Sequence, residues 1–548
     1  MTKQLSLKRA ELQAAEYIRL NSVIQLNNDF ENSLIPKKQI NYDLRIYKDS
    51  NNVLFYPYVF SKTLEHDINT GFVKKDDLDK LFTSLEDGTV ESINNIILST
   101  STQRKLENLL ASSSYNLVGT DSVAFSIPNF NNVDSEAGAF EMAEVYGKAI
   151  LRDVPFEDYS TNPSVNNVLN SLNEYSNFTT APLDNGSITS NLLFRGAGTD
   201  EQYGPYISQL LYLDFNYGNL TMKQKYQSES DYIPSLDKTE WLEIQNGKVN
   251  GSVLKTNEKY IYNGRIMGSA VHNDPLYQFY YYNAALILKQ NGINPSAFTL
   301  SNSSAWTSGG MPNILASVAH VCQGALRCAW NAKWNLGMKI RPEVYAQRLN
   351  LSDENLVDSN QVPGLNSMYS LLRNSIKSLV KNFNNTVSGG TNNNLLLLLQ
   401  YPEGSPTHPS HPAGHAVVAG AATTVLKAMF NCHEEDEITR KAWPTQAVHS
   451  VDGDNLIDYN QSDTSNMTIV GELNKLASNV ALGRDFSGVH YRCDGDCGIK
   501  LGEDFAITYL VDIAKELHES QNGTFNGWLL EKFNGDIIKI KSTGVSTI

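Results

Sequence analysis

A chain of 548 residues, 41% hydrophobic and 19% charged, carries enough apolar side chains for a sizeable folded core. Its net charge of −15 argues against a nucleic-acid partner, because phosphate backbones are held mainly by Lys and Arg. No stretch reaches the roughly 20 apolar residues that span a bilayer, and five cysteines are too few for a disulfide scaffold of this size.

The opening stretch, MTKQLSLKRAELQAAEYIRL, places charges where a secretory signal needs an apolar core. No signal is evident, and localisation stays open beyond the expectation of a soluble protein. Residues 1–130 are mixed in pattern and read as an N-terminal region packing on a helical core at 131–548. In NILASVAHVCQGALRCAWNAKW, Leu315, Val318, Cys322, Ala325 and Ala329 recur three and four apart, the stripe of an amphipathic helix. Lys333 continues that stripe, so it must find an anionic partner or snorkel to water. Pro342 disfavours helical geometry at Arg341 and marks the helix end.

Asn384 to Asn394 (NNTVSGGTNNN) reads as an exposed loop, with a formal glycosylation sequon at Asn384 that is expected to be unused. A further helix begins in PAGHAVVAGAATTVLKAMF, entered through Pro412 and Gly414. Its Ala419, Gly420, Ala421 and Ala422 let another helix approach closely. In TIVGELNKLASNVALGRDF, Ile469, Val470, Leu473, Leu476, Ala477, Val480 and Ala481 form a wide apolar face that also carries Arg484. Cys493 and Cys497 read as free thiols, with a local disulfide as the alternative, and no Cys/His set has zinc spacing. The fold class is mainly α.

Basic side chains gather in three separated segments: KWNLGMKIRP (333–342), HPSHPAGH (408–415) and RDFSGVHYRCD (484–494). One tightly held tetrahedral oxyanion would account for all of them. Lys333, Arg341 and Arg484 supply three positive charges, the arginines as planar forks and the lysine as a point charge. Ala413, Gly414 and His415 bring backbone N–H groups to a helix N-terminus, a ready anion site, and Gly414 has no side chain to block close approach.

These segments resemble the signature shared by vanadium haloperoxidases and one class of acid phosphatases: Lys, spacer, Arg-Pro; then Pro-Ser-Gly-His; then Arg, five residues, His, three residues, Asp. Here five residues separate Arg484 from His490, and three more lead to Asp494. The seven residues between Lys333 and Arg341 match the longer spacer of the bromoperoxidases. Residues 139–159, 192–211 and 271–293 also look like red-algal bromoperoxidases, so the resemblance covers most of 130–510. It implies two four-helix bundles with additional helices and loops, vanadate as cofactor, and a homodimer or larger homo-oligomer. Hydrogen peroxide, bromide or iodide and an organic acceptor are the implied substrates.

Residue by residue, the resemblance makes His490 the vanadium ligand and His415 the acid–base group. Lys333, Arg341, Arg484 and Gly414 would hold vanadate oxygens, and His408 would tune the halide pocket. Trp330 is read either as lining that pocket or as core packing, and Asp274 as a partner of Arg484. His411 carries no transferable role and is expected to support the site or lie at the surface. The usual serine before Gly-His is Ala413, which removes a hydroxyl bond worth about 1–3 kcal/mol if charge-assisted. The alternatives are an acid phosphatase with His490 as nucleophile and a non-enzymatic anion-binding oligomer.

Overall fold

Side-chain oxygens set the start of several helices. Ser135, Asn162, Asp237, Asn263 and Thr468 each accept a hydrogen bond from a first-turn backbone N–H, which satisfies a donor the helix cannot use. The computed structural model describes residues 42–114, 116–127, 129–229, 237–249, 254–296, 302–520 and 523–548. The charged N-terminal stretch of the sequence analysis therefore lies outside the described residues.

In chain order the helices are α1 (Lys75–Asp87), α2 (Val90–Asn94), α3 (Glu136–Leu151), α4 (Pro163–Asn173), α5 (Lys238–Gln245), α6 (Gly264–Ala270) and α7 (Tyr280–Gln290). They continue with α8 (Met311–Asn331), α9 (Pro342–Asp353), α10 (Leu365–Leu371), α11 (Asn374–Val387), α12 (Gly414–Met429), α13 (Ile469–Phe486) and α14 (Arg492–Ser520). The strands are short and antiparallel. The largest sheets have three: β1 (Tyr47–Lys48), β2 (Leu54–Tyr56) and β3 (Val73–Lys74) near the start, and a C-terminal meander over Trp528–Glu531, Ile537–Lys541 and Gly544–Thr547.

The fold is mainly helical, built on two four-helix groups. In the first, α12 packs against α8, α13 and α14. Small residues explain this closeness: a Cβ on Gly420 would lie 2.0 Å from the Ile499 carbonyl oxygen, so only glycine admits the α14 backbone there. The second gathers α4, α9 and α11 around α3. A smaller apolar cluster joins Tyr56, Phe60, Leu64, Leu78 and Leu109 to Trp334 and Met338, beside the basic segments.

The two groups are tied by buried charge. Arg492 at the start of α14 forks onto Glu144 of α3, while Lys148 bonds Asp485 of α13 at 2.7 Å, all four almost fully buried. Such pairs are costly to break from one side. Arg492→Lys keeps the charge but loses the fork, and is expected to cost about 2 kcal/mol, read as a lowered unfolding midpoint in urea.

The stretch expected to be an exposed loop is partly helical. Asn384 to Val387 belong to α11, and Asn384 is buried, donating to Asn394 and to the Leu396 carbonyl. The polar run disguised a helix end because asparagine can satisfy its own chain's backbone groups. A buried amide so engaged also leaves no room for a glycan. Cys493 and Cys497 are free thiols.

Candidate active site

Lys333 lies just beyond α8, where the helix widens into a π turn over Ala332–Gly337 that ends at Met338 in the left-handed region, φ 46°. Such bulges re-aim side chains and recur at functional sites. Lys333 neither snorkels nor meets a carboxylate among the described residues. It is fully buried, and Nζ donates to the carbonyls of Pro409 (2.7 Å) and Ser410 (2.9 Å).

Arg341 is the residue before Pro342, held extended at the N-cap of α9. Its Nη2 donates to the His408 carbonyl (2.7 Å) and reaches His408 Nδ1 (3.1 Å), while Nη1 donates to the Val489 carbonyl (2.7 Å). Nη1 also stands 2.9 Å from His490 Nε2. Arg484, on the last turn of α13, donates through Nη1 to the Val271 carbonyl and to Tyr401 Oη (3.2 Å). Its Nε is buried with no hydrogen-bond partner among the described residues.

Three buried cations thus converge without touching a carboxylate among the described residues. Burial and mutual repulsion push Lys333 well below the usual lysine range, with Arg341 and Arg484 both working in that direction. His408 and His490 are driven down by burial and by the neighbouring cations in the same way. A bound anion would relieve this positive field.

The tautomer of His490 follows from its neighbours. Nδ1 lies 3.0 Å from Asp494 Oδ2, which only accepts, and Nε2 faces Arg341, which only donates. The proton therefore sits on Nδ1 and the lone pair on Nε2. Asp494 is fully buried, and Lys339 Nζ at 3.1 Å, the Ser410 hydroxyl and His411 at 3.4 Å surround it. Burial works to raise its pKa, but Lys339, His411 and His490 hold it well below the usual carboxylate range.

His415 opens α12, and its Nε2 sits 3.0 and 3.1 Å from the two oxygens of Asp274. This corrects the expected partner of Asp274. It bonds His415 rather than Arg484, which takes the carbonyl of nearby Val271 instead. Burial lowers the pKa of His415, with Asp274 opposing and Arg484 and Lys333 adding to the fall. Ala413 is the N-cap of α12 and provides no side-chain cap, and its own N–H is spent on the Asp494 carbonyl (2.9 Å). A Cβ at Gly414 would make ordinary contacts with the Trp330 ring, at 3.5 Å, and Leu326 Cδ2, at 3.8 Å.

Trp330 packs into the core beside His408. Its ring lies 5.0 Å from that of His408 and packs against both apolar clusters, with Nε1 donating to the Glu107 carbonyl. His411 is buried against Asp494 and Phe130 and is not a surface residue. Lys339 was missed. It bonds Asp494, Glu141 (3.3 Å) and Cys493 Sγ (2.9 Å), partners far away in sequence, so no local spacing marks it. Its ammonium stands among His411, Cys493 and Asp494, a group whose ligand atoms would otherwise suit a metal ion. Asp494 was legible only as part of the motif, four residues after His490.

No family model matches the chain. A vanadium-dependent bromoperoxidase of Ascophyllum nodosum is 30% identical over 467 residues, covering 81% of this chain and 79% of that protein. One from Corallina pilulifera is 27% identical over 557 residues, covering 88% of this chain and 90% of its own. The homohexameric structure of a second vanadate-dependent bromoperoxidase of Ascophyllum nodosum superposes with a TM-score of 0.85 at 27% identity, over 98% of this chain and 91% of the other. With that identity over most of its length and a matching fold around the three basic segments, the chain belongs to the vanadium-dependent bromoperoxidase family.

Proposed function

We propose that this protein is a vanadate-dependent haloperoxidase that oxidises bromide and iodide with hydrogen peroxide, releasing hypohalous acid that halogenates organic acceptors. The observation that carries it is the set of three buried cations that lack carboxylate partners among the described residues, arranged beside a histidine whose Nε2 holds a lone pair. The residues fit vanadate. Arg484 Nε is an orphaned buried donor, Lys333 meets only neutral carbonyls, and the first turn of α12 has no side-chain cap.

Lys333, Arg341 and Arg484 would hold the oxyanion's oxygens with the N–H groups of Gly414 and His415, and His490 Nε2 would ligate the metal. Bound vanadate supplies a Lewis-acid centre that activates hydrogen peroxide toward halide. Asp494 keeps the Nδ1 proton of His490 in place, so the ligating tautomer is preformed. Asp274 accepts from Nε2–H of His415, which leaves Nδ1 to take up and return a proton. Its lowered pKa keeps that nitrogen neutral and ready to accept. Lys333 adds a desolvated positive charge that stabilises negative charge developing in the pocket. His408, bonded to Arg341 and tilted against the Trp330 ring, shapes the halide side. The homohexameric neighbour supports assembly as a homo-oligomer.

Apo-protein supplied with vanadate or phosphate tests this function. Bromination that requires both vanadate and peroxide is expected. Phosphate-ester hydrolysis without halogenation would instead assign His490 as the nucleophile of a phosphatase.

Ala413→Ser restores a hydroxyl at the N-cap of α12. It is expected to tighten vanadate by up to about tenfold and to add about 1 kcal/mol of capping stability. Vanadate titration of the apo-variant, followed by activity, checks the first, and the unfolding midpoint checks the second.

A further inference from the structure

His272 belongs to none of the basic segments, yet its side chain is only 8% exposed and both ring nitrogens are engaged. Nδ1 meets Glu229 Oε1, and Nε2 meets Glu403 Oε1 at 2.6 Å. Carboxylates only accept, so both nitrogens carry protons and the ring is an imidazolium shared by two anions. Burial works to lower its pKa, but the two glutamates together raise it above the ordinary histidine value. The ring also stacks on Tyr401, with centroids 3.6 Å apart and planes 5° from parallel.

Each anchor is itself fixed. The other oxygen of Glu229 takes Ser269 Oγ (2.6 Å) and Gln400 Nε2 (2.8 Å), which ties it to α6 and to the segment entering the site. Glu403 lies in that same segment, five residues before His408. His272 therefore pins one short turn to two other parts of the chain. That turn carries site contacts on both sides of it: the Val271 carbonyl accepts from Arg484, and the Asp274 carboxylate accepts from His415. Tyr401, under the His272 ring, also accepts from Arg484.

We propose that His272 is a positioning residue for the reaction, a two-sided clamp that holds the Val271–Asp274 turn so that Arg484 and His415 keep their orientation. It acts through Asp274 and the Val271 carbonyl and touches no reacting atom. Replacing the ring would let the turn drift, and displacements of about 1 Å in such supports cost up to about a hundredfold in rate. The proposal rests on the function given above, so its test needs a reading that does not depend on turnover.

His272→Phe keeps the stack on Tyr401 and removes both bridges. Histidine Cε1 hydrogen–deuterium exchange, followed by peptide mass spectrometry on vanadate-free protein, reports the pKa of His415, which faces Asp274, Arg484 and Lys333. The expected result is a lower pKa at His415, because a displaced Asp274 no longer raises it, with kcat for bromide reduced on the order of tenfold. A folded His272→Phe protein in which His415 titrates as in the wild type overturns the proposal. Glu403→Ala, at a side chain 20% exposed, opens one side of the clamp at less risk to folding. It should move His415 in the same direction by less, and no shift there also overturns the clamp. If wild-type protein with vanadate fails to oxidise bromide, the functional assignment falls, while the His415 shift still decides the clamp.

Discussion

Replacing His490 by alanine is expected to lower vanadate-supported bromide oxidation by about 10²–10³-fold, the scale of removing one preorganised electrostatic partner from a buried site. Its Nε2 is fixed as an acceptor by neighbours on both sides of the ring, Asp494 on Nδ1 and Arg341 on Nε2. The fold should tolerate the change. Asp494 keeps Lys339, Ser410 and His411, and Arg341 keeps the carbonyls of Val489 and His408. Steady-state rates over a vanadate titration, taken beside an unfolding curve, separate the two effects. An unchanged rate at saturating vanadate would show that the site has been misassigned.

Asp494→Ala should be the most destabilising single change near the site, costing about 3–5 kcal/mol, as expected when one partner of a buried ion pair is removed. Lys339 would keep Glu141 at 3.3 Å, but its closest carboxylate would be gone and its ammonium would stay fully desolvated. His490 would also lose the acceptor that holds its Nδ1 proton, so activity should fall with stability. A double-mutant cycle with Lys339→Met identifies the cause. Removing the stranded charge should recover part of the lost stability, so the double variant should be more stable than the sum of the two single losses. Simple additivity would mean that the two groups are not coupled.

Much of the site was readable from residue types. Lys333, Arg341 and Arg484 could be picked out because cations on apolar helix faces or beside a helix-ending proline conflict with local burial and so call for a shared anion. The α12 start was readable because Pro412–Gly414 is a strong helix-entry signal. Asn384 failed because an asparagine-rich run has the same composition whether it caps a helix end or forms a loop. Asp274 was given the wrong base because sequence offers no way to choose between two bases near the same turn.

The sequence by itself determined the inventory: three cations, the histidines 408, 415 and 490, a helical frame with small residues where helices meet, and alanine in place of serine at 413. The cations and the helical frame follow from side-chain chemistry and periodicity, which are local, while the histidines and Ala413 stand out through the resemblance of the motifs to the family signature. Only the tertiary structure decided which carboxylate serves which base: Asp274 for His415, Asp494 for His490 and Lys339, and Glu229 with Glu403 for His272. Those pairings join residues as far as 141 positions apart at His415 and 155 at Lys339. In a buried site the partner of each charge sets its protonation and its orientation, so the tautomers that make the chemistry possible are a property of packing.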